Sequence, residues 1–222
     1  MEVITSQTVL ETPKAPPPQV RGLPEPLGDR NRNPPDIGLW ALVREDYRAN
    51  NNKLLAPGFL AIFVHRLINA RWKIRSRILR FPVTVFCRLL FNWVSWTFGI
   101  EIGYHSQIGR RLHIYHHGAT MLGARSVGDD CHIRHNTTLG VLNRFDPGGL
   151  PVIGNRVDIG VGVVVAGPVW IGDDAVIAAN SLVLRDVPPG GVVMGVPARL
   201  ISIADPDATV TPTGGAPSRE SP

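Results

Sequence analysis

Five histidines, His113, His116, His117, His132 and His135, fall within 23 residues of one another. Imidazole is the side chain whose ordinary pKa lies nearest neutrality, so such a run offers a general base that could take a proton from a hydroxyl. Three of these rings converging would instead offer nitrogen ligands to zinc. A second group is cationic: Arg66, Arg71, Lys73, Arg75, Arg77, Arg80 and Arg88 crowd one stretch of a chain whose formal net charge is +5. A positive surplus suits nucleic acid, an acidic membrane surface or a phosphorylated cofactor. No nucleic-acid motif accompanies these residues, so the plain reading is a solvated helix face and no nucleic-acid partner. Cys87 and Cys131 are the only cysteines, too few for a disulfide framework and without the paired spacing of a zinc site.

A repeat must position the histidines. Aliphatic residues stand at Ile153, Ile159, Val165, Ile171, Ile177 and Val183, every sixth position, with glycine following three of them at Gly154, Gly160 and Gly172. A second set, Val157, Val163, Val169, Ala175, Ser181 and Val187, occupies the fourth place after each. Upstream the period appears at Ile102, Ile108 and Ile114, then, after a one-residue slip, at Val127, Ile133 and Leu139. No α-helix sustains such a period. Six residues suit a short strand plus a corner, and three such sides close one coil, so residues about 18 apart stack roughly 4.8 Å above one another. The small residue after each aliphatic one is expected to let the chain turn tightly. The fold class is therefore mainly β, a parallel β-helix of hexapeptide repeats preceded by a small α-helical segment.

The chain of 222 residues divides accordingly. Residues 1–36 hold eight prolines and read as a disordered tail, as do residues 202–222. Residues 37–98 carry apolar residues at helical spacing (Leu39, Leu42 and Val43, then Phe59, Ile62, Phe63, Leu67 and Ile68) with Asp36 as N-cap and breaks near Pro57 and Pro82. Residues 99–201 form the repeat domain, interrupted by a loop at 142–151 that should extrude from a corner. The stretch Phe81 to Ile100 is apolar enough for a membrane span to be weighed. Pro82, Arg88 and Asn92 argue for a helix buried against protein and for no transmembrane segment, with attachment to a bilayer surface left open. An N-terminus without a basic opening or an apolar run points to the cytoplasm.

These features together resemble a known family. Pro57-Gly58-Phe59 and His65-Arg66 precede Phe98-Gly99-Ile100-Glu101-Ile102, a histidine-rich coil, an extruded loop, and the ending Asp186-Val187-Pro188-Pro189 through Gly195-Val196-Pro197-Ala198-Arg199. Over roughly residues 39–201 the chain resembles the serine acetyltransferases among the hexapeptide-repeat acyltransferases. The resemblance implies a left-handed coil, a homotrimer or dimer of trimers with active sites between subunits, and acetyl-CoA as cosubstrate with no metal. It also implies transfer of acetyl to a small-molecule acceptor bearing a hydroxyl, as in serine O-acetylation for cysteine biosynthesis.

By position, the family's catalytic histidine falls on His116 and its carboxylate partner on Glu101, where the pattern usually has Asp; a register shift of one would exchange His116 for His117. Val161 and Ala179 match the corner where backbone groups bind the pantetheine arm. Arg185 and Arg199 match basic positions that reach the cofactor's phosphates. The family's Asp before the histidine is Tyr115 here, and its Arg-His pair in the loop is replaced by Gly149 and Leu150. Arg144 or Asp46 could substitute in holding the acceptor, and a sugar hydroxyl rivals that of serine. The tail lacks the terminal Ile expected to dock a sulfhydrylase.

Two further readings differ in class. Carbonic anhydrases of one type use this coil with three histidines, and His116 and His135 lie about one coil apart, so a zinc-dependent hydratase is one. A noncatalytic structural solenoid is the other.

Overall fold

Residues six apart must lie on successive sides of a triangular coil, and the computed structural model, which describes residues 31–142 and 149–203, folds that way. The first side is β1 (Ile100–Ile102), β4 (Thr120–Leu122), β7 (Thr138–Gly140), β10 (Val164–Ala166) and β13 (Leu182–Val183). The second is β2 (Gln107–Ile108), β5 (Ser126–Val127), β8 (Val152–Ile153) and β11 (Trp170–Ile171). The third is β3 (His113–Ile114), β6 (His132–Ile133), β9 (Asp158–Ile159), β12 (Val176–Ile177) and β14 (Gly191–Met194), with β15 (Arg199–Ile203) laid antiparallel on β14. All other pairings are parallel, and Ile153 over Ile171, Ile159 over Ile177 and Val165 over Val183 are in register. Every aliphatic position of both hexad sets is buried, so the core is a column of stacked side chains running the length of the prism.

The corners correct one expectation. Gly154, Gly160 and Gly172 do not take the left-handed conformation; that falls on Arg111, Asp130, Arg156, Gly162 and Asp174, each three residues beyond a strand end. The glycines are required by the approach of the next coil: an added Cβ would stand 2.5 Å from Asp173 Oδ1 at Gly154, 2.6 Å from Ala179 N at Gly160 and 2.4 Å from Pro189 N at Gly172.

Three helices cover the first coil: α1 (Leu39–Ala49), α2 (Pro57–Ala70) and α3 (Arg77–Phe98), with a single 3₁₀ turn at Arg71–Lys73 between the last two. The break expected near Pro57 lies between α1 and α2, and Pro57 itself opens α2, since its missing N–H falls where no intrahelical partner exists. Pro82 lies inside α3, six residues beyond the Ser76 cap, and the helix runs on past it. Asp36 is not the cap of α1, which starts after Gly38; its carboxylate pairs with Arg110 at 3.0 Å.

Buried ion pairing fixes this cap. Arg66 of α2, 0% exposed, donates to Asp46 of α1 at 2.9 Å, to Ile108 O at 2.7 Å and to Gly109 O at 2.5 Å, so one guanidinium ties both helices to the first coil. His65 beside it lies against Ser106 O at 3.1 Å, and burial holds its pKa down to about 3.

The expected boundary at residue 36 sits too late: Asn31 is buried and donates to Tyr104 O, and Asn33 donates to Arg66 O. At the other end β15 reaches Ile203. Residues 1–30, 143–148 and 204–222 fall outside the described residues, and with them most of the two tails and of the loop. The expectation that the last helix is buried also fails: only Cys87 and Val94 of α3 are, because a single side of it meets α2 and β1.

Candidate active site

Corners between the third and first sides set the site. Four residues make this turn in the lower coils (Arg134–Thr137, Gly160–Val163 and Ala178–Ser181), whereas the first coil uses five, Tyr115–Ala119. The sequence slip is this extra residue. It moves the left-handed position from the third residue of the corner, as at Asn136, Gly162 and Asn180, to the second, His116 at φ 63°. Histidine is among the residues that tolerate this region, and its ring is left exposed at the rim. The turn closes where Gly118 N–H donates to Phe98 O at 2.9 Å.

Ile114, Ile133, Ile159 and Ile177 stack in register. Two residues beyond each stand His116, His135, Val161 and Ala179, a single column down the corner. His116 and His135 meet edge to face with ring centroids 5.5 Å apart, and His135 Nδ1 is buried without a hydrogen-bond partner. At the foot of the column Gly195 O accepts from Leu182 N at 3.0 Å and Ala198 N donates to Leu182 O at 2.7 Å, which brings Arg199 to this corner. Arg185 follows β13 at the opposite end of the first side. Both arginines are exposed and without an ion-pair partner among the described residues, unlike Arg110, Arg111, Arg134 and Arg156, which all pair with carboxylates. The small side chains of Val161 and Ala179 in the lower half of the column, and unpaired guanidiniums beyond it, suit a long anionic ligand.

A cavity of about 690 Å³ opens beside His116, lined by Asn50–Asn51, Lys53–Gly58 and His113–His117. The α1–α2 turn forms its outer wall, with Asn51 and Asn52 in the left-handed region. Asn50 anchors that turn by donating to Asp46 O at 2.8 Å and Leu112 O at 3.0 Å, while its buried Oδ1 has no partner. Gly58 permits the close seating of α2, because a Cβ there would lie 2.3 Å from Ile114 O. Sequence reasoning missed this wall, although three consecutive asparagines before Pro57-Gly58 are a turn signal.

Tyr115 forms the cavity's aromatic side. Its ring stacks on His113 at 4.0 Å, and its hydroxyl meets His132 Nδ1 at 3.0 Å. Burial, and then the neighbouring His132, lowers the His113 pKa. Among the described residues no three His, Cys, Asp or Glu side chains are grouped to hold a metal ion.

Glu101 projects from β1 opposite Met121 and is exposed; within one chain it makes no hydrogen bond to His116. Asp46 does not face an acceptor: it is 1% exposed, paired with Arg66 and bonded to Arg111 N at 3.2 Å. Arg144 lies outside the described residues. His117 is exposed and lines the same cavity.

Comparison with known proteins converges on one family. The family model described as bacterial transferase hexapeptide (six repeats) matches residues 151–185. A serine acetyltransferase of Mycobacterium tuberculosis is 37% identical over 151 residues, 68% of this chain and 63% of that protein, so the chain spans less than two thirds of that relative. The serine acetyltransferase of Helicobacter pylori strain J99 is 36% identical over 168 residues, 74% of this chain and 94% of that protein. Among solved structures, the serine acetyltransferase of Brucella abortus strain S19 in complex with coenzyme A superposes with a TM-score of 0.62 at 28% identity, covering 75% of this chain and 69% of that one. Since the Helicobacter enzyme is matched over nearly its whole length, the chain belongs to the serine acetyltransferase family, a family of acyltransferases on the hexapeptide β-helix.

Proposed function

We propose that this protein is an acetyl-CoA-dependent O-acetyltransferase in which His116 takes the proton from an acceptor hydroxyl held in the cavity beside it. The observation that carries the reading is the extra corner residue: the His116 imidazole is lifted out of the coil at the head of a column that ends in the small Val161 and Ala179, against a cavity large enough for a small molecule. Acetyl-CoA supplies the acyl group as an activated thioester. Val161 and Ala179 offer backbone along the column, and Arg199 and Arg185 offer unpaired guanidiniums to its phosphates.

Deprotonation of the hydroxyl leaves His116 cationic, and Glu101, exposed with no ion-pair partner of its own among the described residues, orients and stabilises that imidazolium. Because the two do not meet within one chain, the working form is a homotrimer whose neighbouring subunits complete the site. Buried, unpaired Cys87 and Cys131 fit a reducing cytoplasm, where serine acetylation would feed cysteine biosynthesis.

Serine is the acceptor indicated by the relatives' names. Tyr115 and the neutral Asn50 give the cavity the aromatic and amide character that suits a sugar hydroxyl, which is the second reading. Supplying acetyl-CoA with serine, homoserine and a panel of sugars, and following thiol release, decides between them. Thiol release with none of these alcohols would sink both.

A further inference from the structure

Along α3 the residues Ile78, Phe81, Val85, Leu89, Trp93 and Trp96 recur at spacings of three and four, one stripe down a helix about 33 Å long. That stripe faces away from the fold: Ile78 is 85% exposed, Phe81 71%, Leu89 63% and Trp96 84%. The opposite side, with buried Cys87 and Val94, packs on α2 and β1. Both sides of the helix are apolar, and the described residues cover only one. An uncovered ridge of this size marks an interaction surface.

Charge identifies what covers it. Residues 47–100 contain nine of the chain's 23 Lys and Arg and none of its 18 Asp and Glu. Arg66 is spent on Asp46, and five of the remaining eight, Arg71, Lys73, Arg75, Arg77 and Arg80, cluster about the start of α3, where the Arg71 and Arg80 guanidiniums each sit 4.8 Å from the Trp72 ring. An apolar and aromatic stripe with a cationic collar is the composition of a helix that lies in a lipid interface. The helix is long and apolar enough to cross a membrane. Its packed side and its Arg80 and Arg88 exclude lipid from surrounding it. A second copy laid parallel on the same face would set collar against collar, and Asp130, Asp158 and Asp174 of the coils are already paired with Arg111, Arg134 and Arg156.

From this arrangement we infer that α3 docks the protein flat on an anionic bilayer surface, its stripe among the acyl chains and its collar among the headgroups. The cavity beside His116 is lined by no residue of α3, so docking leaves that entrance free, and the inference stands apart from the acceptor's identity.

Flotation of the full chain with vesicles tests it. Phosphatidylcholine vesicles containing phosphatidylglycerol should carry the protein upward, high salt should weaken the association, and pure phosphatidylcholine should bind at least tenfold less. Changing exposed Trp93 and Trp96 together to Ser should weaken binding by about tenfold or more, with circular dichroism, elution volume and thiol release unchanged. Failure to float with anionic vesicles overturns the inference. So does a double variant that floats as well as the parent but elutes as a smaller assembly, because the stripe is then a subunit interface.

Discussion

His116 occupies a backbone region that favours very few side chains, and it does so at the one corner between the third and first sides, among the described residues, that carries a fifth residue. Removing its ring should lower turnover by about 10²–10⁴-fold while leaving coenzyme binding nearly intact, measured by thiol release and by calorimetry with coenzyme A. Unchanged turnover in His116→Ala would transfer the role to His117. Glu101→Gln should cost less, since a positioning carboxylate acts through the imidazole, and its effect should appear in kcat more than in KM. The histidine run was legible as chemistry, and the one-residue slip beside it was legible as a break in period. That the slip is itself what exposes the imidazole could be seen only once the corners were aligned across coils. Asp46 misled because a carboxylate in a helix looks available from sequence, whereas its partner Arg66 lies twenty residues away, on the next helix.

Helix α2 touches the site through its first turn. Gly58→Ala would press a methyl group toward the Ile114 carbonyl at 2.3 Å, where backbone cannot yield cheaply, so α2 must lift off β3. Loss of several-fold or more in activity with a lowered thermal midpoint is expected, and a fully active, equally stable variant would show that the cavity wall does not depend on this contact. Deeper in the same interface, Asp46→Asn strips the buried Arg66 guanidinium of its counter-charge. Stability should fall by about 3–5 kcal/mol, read as a shift in urea midpoint. Coils were predictable strand by strand, because inward aliphatics at a fixed period specify both pleat and register. The exposure of α3 was not, because hydropathy reports how apolar a helix is and says nothing of which neighbours its own chain supplies.

For the whole molecule, acid sensitivity follows from the cap. His65 is buried neutral with its pKa held near 3 against an ordinary 6.5, so below pH 6.5 the unfolded chain takes up a proton that the folded one refuses. The stability this residue confers is complete above pH 6.5 and is lost as pH falls toward 3. Between pH 7 and pH 5 the loss amounts to roughly 2 kcal/mol, visible in urea denaturation and much reduced in His65→Gln; equal midpoints at the two pH values would contradict it. At the far end of the prism, β15 runs against the direction of every other strand. Parallel coils expose a ledge onto which another copy's coil could add, and repetition of that step builds a fibre. A reversed strand offers the wrong spacing of donors and acceptors for such growth. Truncation before Arg199 should therefore make the protein self-associate end to end, with light scattering that rises with concentration.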